Sequence, residues 1–276
     1  MNQRCKALGL GSALFCSVTL FAQGQPGVIR GIIDAVNLDS LTTTVRDLSG
    51  ENGSKNGGVT DTIRSRWYAT IGNSLALEYL EHRLKQLNLV PQRHEFSDPI
   101  GVPGINVLAE QRGDLFPLQK YIVCAHFDDT NYNDDAIAPG ADDNASGCAA
   151  VLEAARLLSH FRTAYTVLYA FWNHEEIGSI GSDRYARQAR GRGDSIVGVL
   201  NLDMLGYDAD NDSLMNIHTS TIARSAQLAD TVASVNNVYG VGLEMRIQNP
   251  GSSGSDHAGF WRQGYTAVLI LEGFSG

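Results

Sequence analysis

The sequence contains little cysteine, with four in 276 residues. Cys5 and Cys16 lie in the first 24 residues. Cys124 lies in an apolar run typical of a strand, and Cys148 lies on the apolar stripe of a predicted helix. This number and placement imply no disulfide framework. We expect Cys124 and Cys148 to be buried free thiols, with a bond between them as the alternative in an oxidising compartment.

Basic residues are also scarce. Lysine and arginine total 21 against 30 aspartate and glutamate residues, which gives a formal net charge of −9. A surface that binds nucleic acid needs clustered lysine and arginine. The densest basic stretch, Arg184 to Arg192, is spaced along a predicted helix as expected of a solvated face. The composition therefore argues against a nucleic-acid partner.

The N-terminal apolar segment, Ala7 to Phe21, is shorter than the roughly 20 residues that span a membrane. A short basic start precedes it, and small residues follow at Ala22 and Gly24. This pattern predicts a signal peptide over residues 1–24, with a membrane anchor as the alternative. Residues 25–276 are predicted to form one domain without a membrane span. We expect export to the periplasm or the cell exterior.

Two kinds of periodic segment alternate along the rest of the chain. Short runs rich in valine, isoleucine and aromatic residues predict strands over 105–108, 121–125, 166–171, 196–202 and 266–271. Helical spacing predicts helices over 74–88 (with Asn73 as the cap), 148–158, 182–190 and 220–235. Because the strand runs lack alternating polarity, both of their faces should be buried. The prediction is a three-layer α/β/α sandwich with a mixed, mostly parallel central sheet.

Three of these strands run directly into residues that can bind a metal ion. The first ends at His126 and Asp128, the second at Glu175 and Glu176, and the third at Asp203. Binding crevices of open α/β sheets form beyond the carboxyl ends of their strands. We therefore expect these side chains to meet at one edge of the sheet.

The loop APGADDNASG, residues 138–147, brings Asp142 or Asp143 to the same edge. Crowded carboxylates raise one another's pKa unless a cation compensates them. One imidazole among several carboxylates suits Zn²⁺, with Mn²⁺ or Co²⁺ as substitutes. Taken singly, Asp143 could be a helix cap, His126 a core histidine and Glu175 part of a solvated loop. Their shared position at strand ends favours a metal site.

The motifs AHFDD, PGADDNASG, EEIG, LNLDM and SDH occur in that order. They resemble those of the zinc exopeptidases that include the bacterial leucyl aminopeptidases, glutamate carboxypeptidase, glutaminyl cyclase and the transferrin receptor ectodomain. The resemblance runs from about residue 66 to the end. It implies two zinc ions bridged by Asp143, with His126 and Asp203 completing one site and Glu176 binding the other.

The same resemblance implies roles for two further carboxylates and an activity. Glu175 matches the general base, Asp128 matches the residue that orients the imidazole of His126, and the Asp143–Asn144 peptide is expected to be cis. The implied activity is aminopeptidase hydrolysis of the N-terminal peptide bond of peptides by a water activated by two zinc ions. The alternatives are a glutaminyl cyclase-like enzyme with one zinc and a non-catalytic binding domain.

One expected ligand is missing from its place. The resemblance implies a His-Thr dipeptide after the last strand, yet the sequence stops at Gly276 and its His-Thr dipeptide at 218–219 lies upstream. We expect that the domain lacks its C-terminal end, with impaired activity and a poorly occupied second zinc site. Asp256 and His257 match positions near the active site, and a ligand role for His257 is the alternative.

Overall fold

The computed structural model describes residues 26–56 and 59–273. Its helices are α1 (Pro26–Asp34), α2 (Leu38–Leu48), α3 (Ile71–Gln86), α4 (Gly147–Leu158), α5 (Ile180–Arg192), α6 (Ser225–Tyr239) and α7 (His257–Arg262). Its strands are β1 (Ser54–Asn56), β2 (Val59–Asp61), β3 (Pro91–Ser97), β4 (Pro103–Gln111), β5 (Phe116–His126), β6 (Tyr165–Trp172), β7 (Ser195–Leu202), β8 (Leu214–His218), β9 (Glu244–Gln248) and β10 (Ala267–Glu272). The predicted signal peptide, residues 1–24, lies outside the described residues.

Eight of the described strands form one sheet in the order β3-β4-β6-β5-β7-β10-β8-β9. The pairs β5–β6, β5–β7, β7–β10 and β8–β9 are parallel. The pairs β3–β4, β4–β6 and β8–β10 are antiparallel. The predicted mixed, mostly parallel sheet is confirmed.

Strand β6 shows why the molecule has three layers. Successive side chains of a strand point to opposite faces of the sheet. Val167, Tyr169 and Phe171 pack into the core with α3 and α4, whereas Ala170 and Trp172 pack into the core with α5 and α7. Since each such side chain contributes roughly 1.5–3 kcal/mol when buried, helices on both faces are required to cover the strand.

Parallel pairing brings the ends of three strands together. β5 lies between β6 and β7 and runs parallel to both. Their carboxyl ends therefore share one edge, where His126 ends β5 and Asp203 follows β7. The first residue of α4, Gly147, approaches this edge so closely that a Cβ there would lie 2.4 Å from the carbonyl oxygen of Leu202. This close packing holds the 138–147 loop against β7.

Helix α3 starts earlier than the sequence suggested, and the predicted cap is wrong. Its N-cap is Thr70, and Asn73 lies buried within the first turns. The Asn73 amide instead donates hydrogen bonds to the carbonyl oxygen of Arg66 at 2.7 Å and to Asn173 Oδ1 at 3.0 Å. Asn73 therefore does not cap α3; its side chain links α3 to the segment after β6.

Cys124 and Cys148 are buried free thiols, as predicted. Burial raises the pKa of the Cys148 thiol to about 12, so it stays protonated, and its Sγ donates to the carbonyl oxygen of His126 at 3.1 Å. None of the helices described within 26–273 is long and apolar enough to cross a membrane.

Candidate metal centre

His126 forms the floor of the site. Its ring is 1% exposed, with Nδ1 3.1 Å from the Asp128 carbonyl oxygen and 3.6 Å from Asp128 Oδ1. Both neighbours of Nδ1 are acceptors, so Nδ1 would keep its hydrogen when Nε2 binds a metal ion. Nε2 lies 3.1 Å from Asp143 Oδ1 and 3.3 Å from Asp203 Oδ1. The predicted orientation by Asp128 is therefore supplied first by its backbone oxygen and second by its carboxylate.

Asp143 comes to the site on a helical turn, Ala141–Ser146, that departs from helical geometry at Asp143 and Asn144. The peptide between these two residues is cis, as the resemblance implied. Asn144 fastens the turn to the neighbouring strand, since its Nδ2 donates to the Leu202 carbonyl oxygen at 2.9 Å and its Oδ1 accepts from the Gly147 N–H at 2.9 Å.

A completely buried arginine, Arg66, holds the start of this loop. Its guanidinium donates to the carbonyl oxygens of Phe127 at 2.7 Å, Pro139 at 3.0 Å and Gly140 at 2.8 Å. Its charge is balanced by Asp129, whose Oδ2 lies 3.0 Å away. The arginine therefore joins the end of β5 to the loop that carries Asp143.

Asp203 is held by a hydrogen-bonded chain behind it. Ser255 is 1% exposed, and its hydroxyl donates to Asp203 Oδ2 at 2.6 Å. The same hydroxyl accepts from Asn201 Nδ2 at 2.8 Å. Oδ1 of Asp203 is thereby turned towards His126, as expected of a carboxylate positioned for a metal by a surrounding shell.

Asp128 also positions the turn after β6. It is fully buried, and its carboxylate accepts the N–H of Glu175 at 3.1 Å and that of Glu176 at 3.2 Å. The Ser179 hydroxyl donates to Glu175 Oε1 at 2.9 Å. One side chain therefore links the imidazole of His126 to the backbone of both glutamates.

The electrostatics of the cluster call for a positive charge. Burial raises the pKa of Glu175 to about 7, with His126 opposing and the Asp203 charge adding to the rise. Burial, followed by the charge of Asp143, raises the pKa of Glu176 to about 8. Burial alone would lower the pKa of His126, but the surrounding carboxylates, Asp203 foremost, raise it well above its ordinary value.

The donor set fits a divalent metal ion. His126, Asp143 and Asp203 each offer one ligand atom, and these atoms lie within 4.8 Å of one another. An imidazole nitrogen with carboxylate oxygens is a set that Zn²⁺ accepts. Since carboxylates held close together disfavour one another's charged form unless a cation compensates them, a bound metal accounts for their convergence.

The remaining predicted residues lie around this group. Glu176 is not one of the three mutually close ligands, although the charge of Asp143 acts on it; its role for a second ion stays a prediction. Asp256 is fully buried, and the charges of Glu175 and Asp203 act on it. It is therefore a neighbour of the site.

His257 does not point into the cluster of ligands. Its Nε2 lies 2.9 Å from the Ser252 carbonyl oxygen, to which it donates. Its ring packs edge-on against Trp261, with centroids 4.4 Å apart. Among the described residues, His257 belongs to none of the groups with metal-ligand spacing. The alternative in which it serves as a ligand therefore has no support in this geometry.

Sequence reasoning missed Arg66 and Ser255. Arg66 opens the segment that carries the family resemblance, but its partners are backbone oxygens, which leave no pattern in the sequence. Ser255 belongs to the SDH motif, so the motif marked the right place without revealing that the serine supports Asp203.

Fold and donor set together define an α/β sandwich domain with a donor set for a divalent metal ion at the edge of its sheet. The profile of peptidase family M28 matches residues 106–274, more than half of the 276-residue chain. The protein belongs to peptidase family M28. The suspected relationship to the zinc exopeptidases is thereby confirmed.

Individual proteins are similar to this chain over most of its length. A "probable zinc metalloprotease" of Pyrenophora tritici-repentis is 24% identical over 88% of this chain and 65% of its own length. The LapA aminopeptidase of Legionella pneumophila shares the fold with a TM-score of 0.73 at 18% identity, covering 89% of this chain and 63% of that one. A glutaminyl cyclase of an Acidobacteriales bacterium shares the fold with a TM-score of 0.67 at 20% identity, and the match covers 84% of this chain and 78% of that one. The chain thus spans less than two thirds of the first two.

Proposed function

We propose that this protein is a zinc-dependent aminopeptidase that hydrolyses the N-terminal peptide bond of peptides. The observation that carries the proposal is the convergence of buried His126 and Asp203 with half-exposed Asp143 beside Glu175, a carboxylate whose pKa burial raises to about 7. Membership of family M28 supports the reaction type. The relatives described as a zinc metalloprotease and an aminopeptidase support the metal and the substrate end.

His126 Nε2, Asp143 Oδ1 and Asp203 Oδ1 would hold the metal ion. Zinc at such a site lowers the pKa of water towards neutrality and polarises a carbonyl oxygen. The chain contributes the positioning: Asp128 fixes the tautomer of His126, and Ser255 fixes the carboxylate of Asp203. These supports keep the three ligand atoms together at an edge where His126 and Asp203 are buried and Asp143 is half exposed.

Glu175 would act as the general base. A base works best when its pKa lies near the working pH, and burial brings Glu175 to about 7. Ser179 holds one of its oxygens by a 2.9 Å hydrogen bond, which leaves the other to accept a proton from the attacking water. Glu175 then returns the proton to the departing amine.

The surroundings favour a free N-terminal amine over a C-terminal carboxylate as the recognised end. Carboxylates are usually recognised by arginine through paired hydrogen bonds. Arg66 is the arginine that holds the metal loop, yet it is completely buried and bonded to backbone oxygens and Asp129. It is therefore not available to a substrate carboxylate.

We further propose two zinc ions per site, with Asp143 shared and Glu176 as a ligand of the second. The charge of Asp143, which helps to raise the pKa of Glu176, supports this arrangement. Metal analysis of the purified chain, after dialysis against zinc, would test it. One tightly bound ion and a second, poorly occupied one are expected per chain. Saturation at one ion would overturn the second site, and two tightly bound ions would overturn its expected poor occupancy.

Export is likewise proposed, on the strength of the basic start and apolar segment of residues 1–24. Fractionation of cells expressing the full chain, followed by N-terminal sequencing, tests it. A processed N-terminus near residue 25 outside the cytoplasm is expected. An unprocessed cytoplasmic chain would contradict it.

Three substrates test the activity. Leucine p-nitroanilide should be hydrolysed with zinc and should not be hydrolysed after chelation. Its N-acetyl derivative should be resistant, because it lacks the free amine. Ring closure of an N-terminal glutaminyl substrate without hydrolysis of the leucine compound would favour the glutaminyl cyclase alternative, whose fold the chain shares. Tight zinc binding with no turnover of any substrate would favour a non-catalytic domain.

A further inference from the structure

The turn after β6, which carries Glu175 and Glu176, begins with two buried residues that take no part in the proposed chemistry. Asn173 follows β6 directly and is 3% exposed, and His174 comes next and is 1% exposed. The backbone of His174 has a φ of 60°, in the left-handed region that residues other than glycine seldom adopt. Such a conformation persists only where surrounding contacts enforce it, so those contacts also decide where Glu175 lies.

The side chains of Asn73, on α3, and Asn173 form a reciprocal amide pair. Asn73 Nδ2 donates to Asn173 Oδ1 at 3.0 Å, and Asn173 Nδ2 donates to Asn73 Oδ1 at 2.9 Å. The second hydrogen of the Asn73 amide is donated to the Arg66 carbonyl oxygen at 2.7 Å. That of the Asn173 amide is donated to the Ile105 carbonyl oxygen at 3.3 Å. Every donor of this buried pair therefore has a partner.

The amide pair holds the backbone at the start of the turn. Asn173 Oδ1 also accepts the N–H of His174 at 3.0 Å, so the amide that Asn73 holds fixes the residue in the left-handed conformation. Further along, the carboxylate of Asp128 accepts the N–H groups of the two glutamates. The turn is therefore held before the glutamates by the amide pair and at the glutamates by Asp128.

Asn106, on β4, joins the two ends of the turn. It is fully buried, its Oδ1 accepts the N–H of Asn173 at 2.9 Å, and its Nδ2 donates to the Gly181 carbonyl oxygen at 2.9 Å. The Gly181 N–H donates to the Asn173 carbonyl oxygen at 3.1 Å. A Cβ at Gly181 would lie 2.3 Å from both Asn106 Oδ1 and the Asn173 carbonyl oxygen, so only glycine fits at this closure.

We propose that Asn73, Asn106 and Asn173, together called the asparagine network, are positioning residues for Glu175. A buried polar network whose members are all satisfied rigidifies the backbone that it holds. A misplacement of about 1 Å can lower the rate of a reaction by about 10²-fold. The network should therefore contribute to kcat more than to substrate binding.

The catalytic part of this inference rests on the proposed function, in which Glu175 is the general base. The structural part, that the asparagine network holds the turn, stands on the hydrogen bonds alone. The two parts are therefore tested by separate measurements on the same variants.

Backbone hydrogen exchange of the full chain tests the structural part. Asn73→Ala removes the amide pair and Asn106→Ala removes the other contact, so in each variant the N–H groups of residues 174–181 should exchange at least about tenfold faster. The matched control is Asn236→Ala on α6. Asn236 is 5% exposed, and its amide bonds to the backbone oxygen and N–H of Leu243 at 2.8 and 3.1 Å. The control should change exchange only around residues 236–243.

Turnover of leucine p-nitroanilide by the zinc-loaded chain tests the catalytic part. Asn73→Ala and Asn106→Ala should each lower kcat by about 10- to 100-fold and leave KM within about twofold. Zinc content should not change, and Asn236→Ala should keep full kcat although it also loses a buried amide. In a Glu175→Gln background, Asn73→Ala should cause no further loss, because it acts through Glu175.

Unchanged exchange over residues 174–181 in Asn73→Ala and Asn106→Ala would overturn the inference. Faster exchange with undiminished kcat would overturn the positioning role, and so would an equal loss of kcat in Asn236→Ala or a full further loss in the Glu175→Gln background. An unaltered chain that hydrolyses no substrate would refute the proposed peptidase function and with it the catalytic part, whereas exchange would still decide whether the asparagine network holds the turn.

Discussion

The metal centre and the Asp208–Asp212 loop contain similar acidic side chains in opposite surroundings. At the centre, His126 is 1% exposed and Asp203 is 6% exposed, and buried polar groups hold each in place. In the loop, Asp208, Asp210 and Asp212 are exposed to water. Burial therefore separates the two clusters more clearly than residue type does.

The supports of the two clusters differ in the same way. Ends of parallel strands and a buried arginine preorganise the metal centre, so its ligands are assembled before a metal arrives. The loop aspartates instead accept N–H groups of their own loop, such as that of Asp212 at 3.1 Å from Asp208 Oδ1. The predictions below each change one buried group and pair it with an exposed group of the same type.

The largest effect is expected from Glu175→Gln. Loss of the proposed general base should lower kcat by about 10²- to 10⁴-fold, whereas zinc content should not change, because the three closest ligands remain. Leucine p-nitroanilide turnover and metal analysis measure the two quantities. Glu95→Gln, exposed on β3, is the control and should retain full activity. A Glu175→Gln enzyme as active as this control would remove Glu175 from the mechanism.

The second largest effect is expected from Arg66→Met. Breaking the buried pair with Asp129 leaves an uncompensated charge and frees the carbonyl oxygens of the metal loop, so the free energy of unfolding should fall by about 3–5 kcal/mol. The matched control is Arg246→Met, since Arg246 and Glu244 form an exposed pair worth no more than about 1 kcal/mol. Urea denaturation gives both values. Equal losses would show that the Arg66 contacts do not support the fold.

The pH dependence of the free energy of unfolding tests how burial affects His257. Burial lowers its pKa from 6.5 to about 4, so the folded protein holds the ring neutral. The stability that the neutral, buried ring contributes is fully present above pH 6.5 and is lost as the pH falls through about 4. The two values differ by an amount equivalent to about 3 kcal/mol.

We expect the free energy of unfolding of His257→Gln to depend less on pH between 6.5 and 4 than that of the unaltered protein. His160→Gln, exposed after α4, should behave like the unaltered protein. Denaturation curves across this range measure the difference. Identical pH slopes in all three proteins would mean that the ring of His257 titrates normally.

Ser255→Ala should have the smallest effect of this series. It removes the 2.6 Å hydrogen bond to Asp203 Oδ2, and loss of such a supporting contact typically weakens metal affinity by about 10- to 100-fold. Competition with a chromophoric zinc chelator gives the dissociation constant. Ser253→Ala, exposed in the same segment, should bind zinc normally. If the two variants bind zinc equally well, Ser255 does not position the ligand.

The sequence predicted the buried strands of the fold better than the exposed ones. Strands β5, β6 and β7 were predictable because they are buried on both faces, and their shared edge led directly to His126 and Asp203. Strand β9 was missed since it lies at the edge of the sheet and is mostly exposed, so it lacks the apolar run of a central strand.

Hydrogen bonds to backbone groups were the other feature that could not be predicted from the sequence. The cap of α3 was misplaced because Asn73 turned its amide to Arg66 and Asn173, a tertiary contact that outweighs local preference. The role of Arg66 depends on carbonyl oxygens that every residue possesses, so no residue pattern announces it. The carboxylate cluster could be predicted, whereas the groups that hold it in place required the structure.

Anomalous diffraction at the zinc absorption edge, from crystals of the full chain grown with zinc, would locate the metal ion directly. We expect a strong peak about 2 Å from His126 Nε2, with Asp143 and Asp203 as carboxylate ligands of the same ion. Zinc-loaded crystals with no anomalous peak beside His126, or with the ion held by other residues, would contradict it.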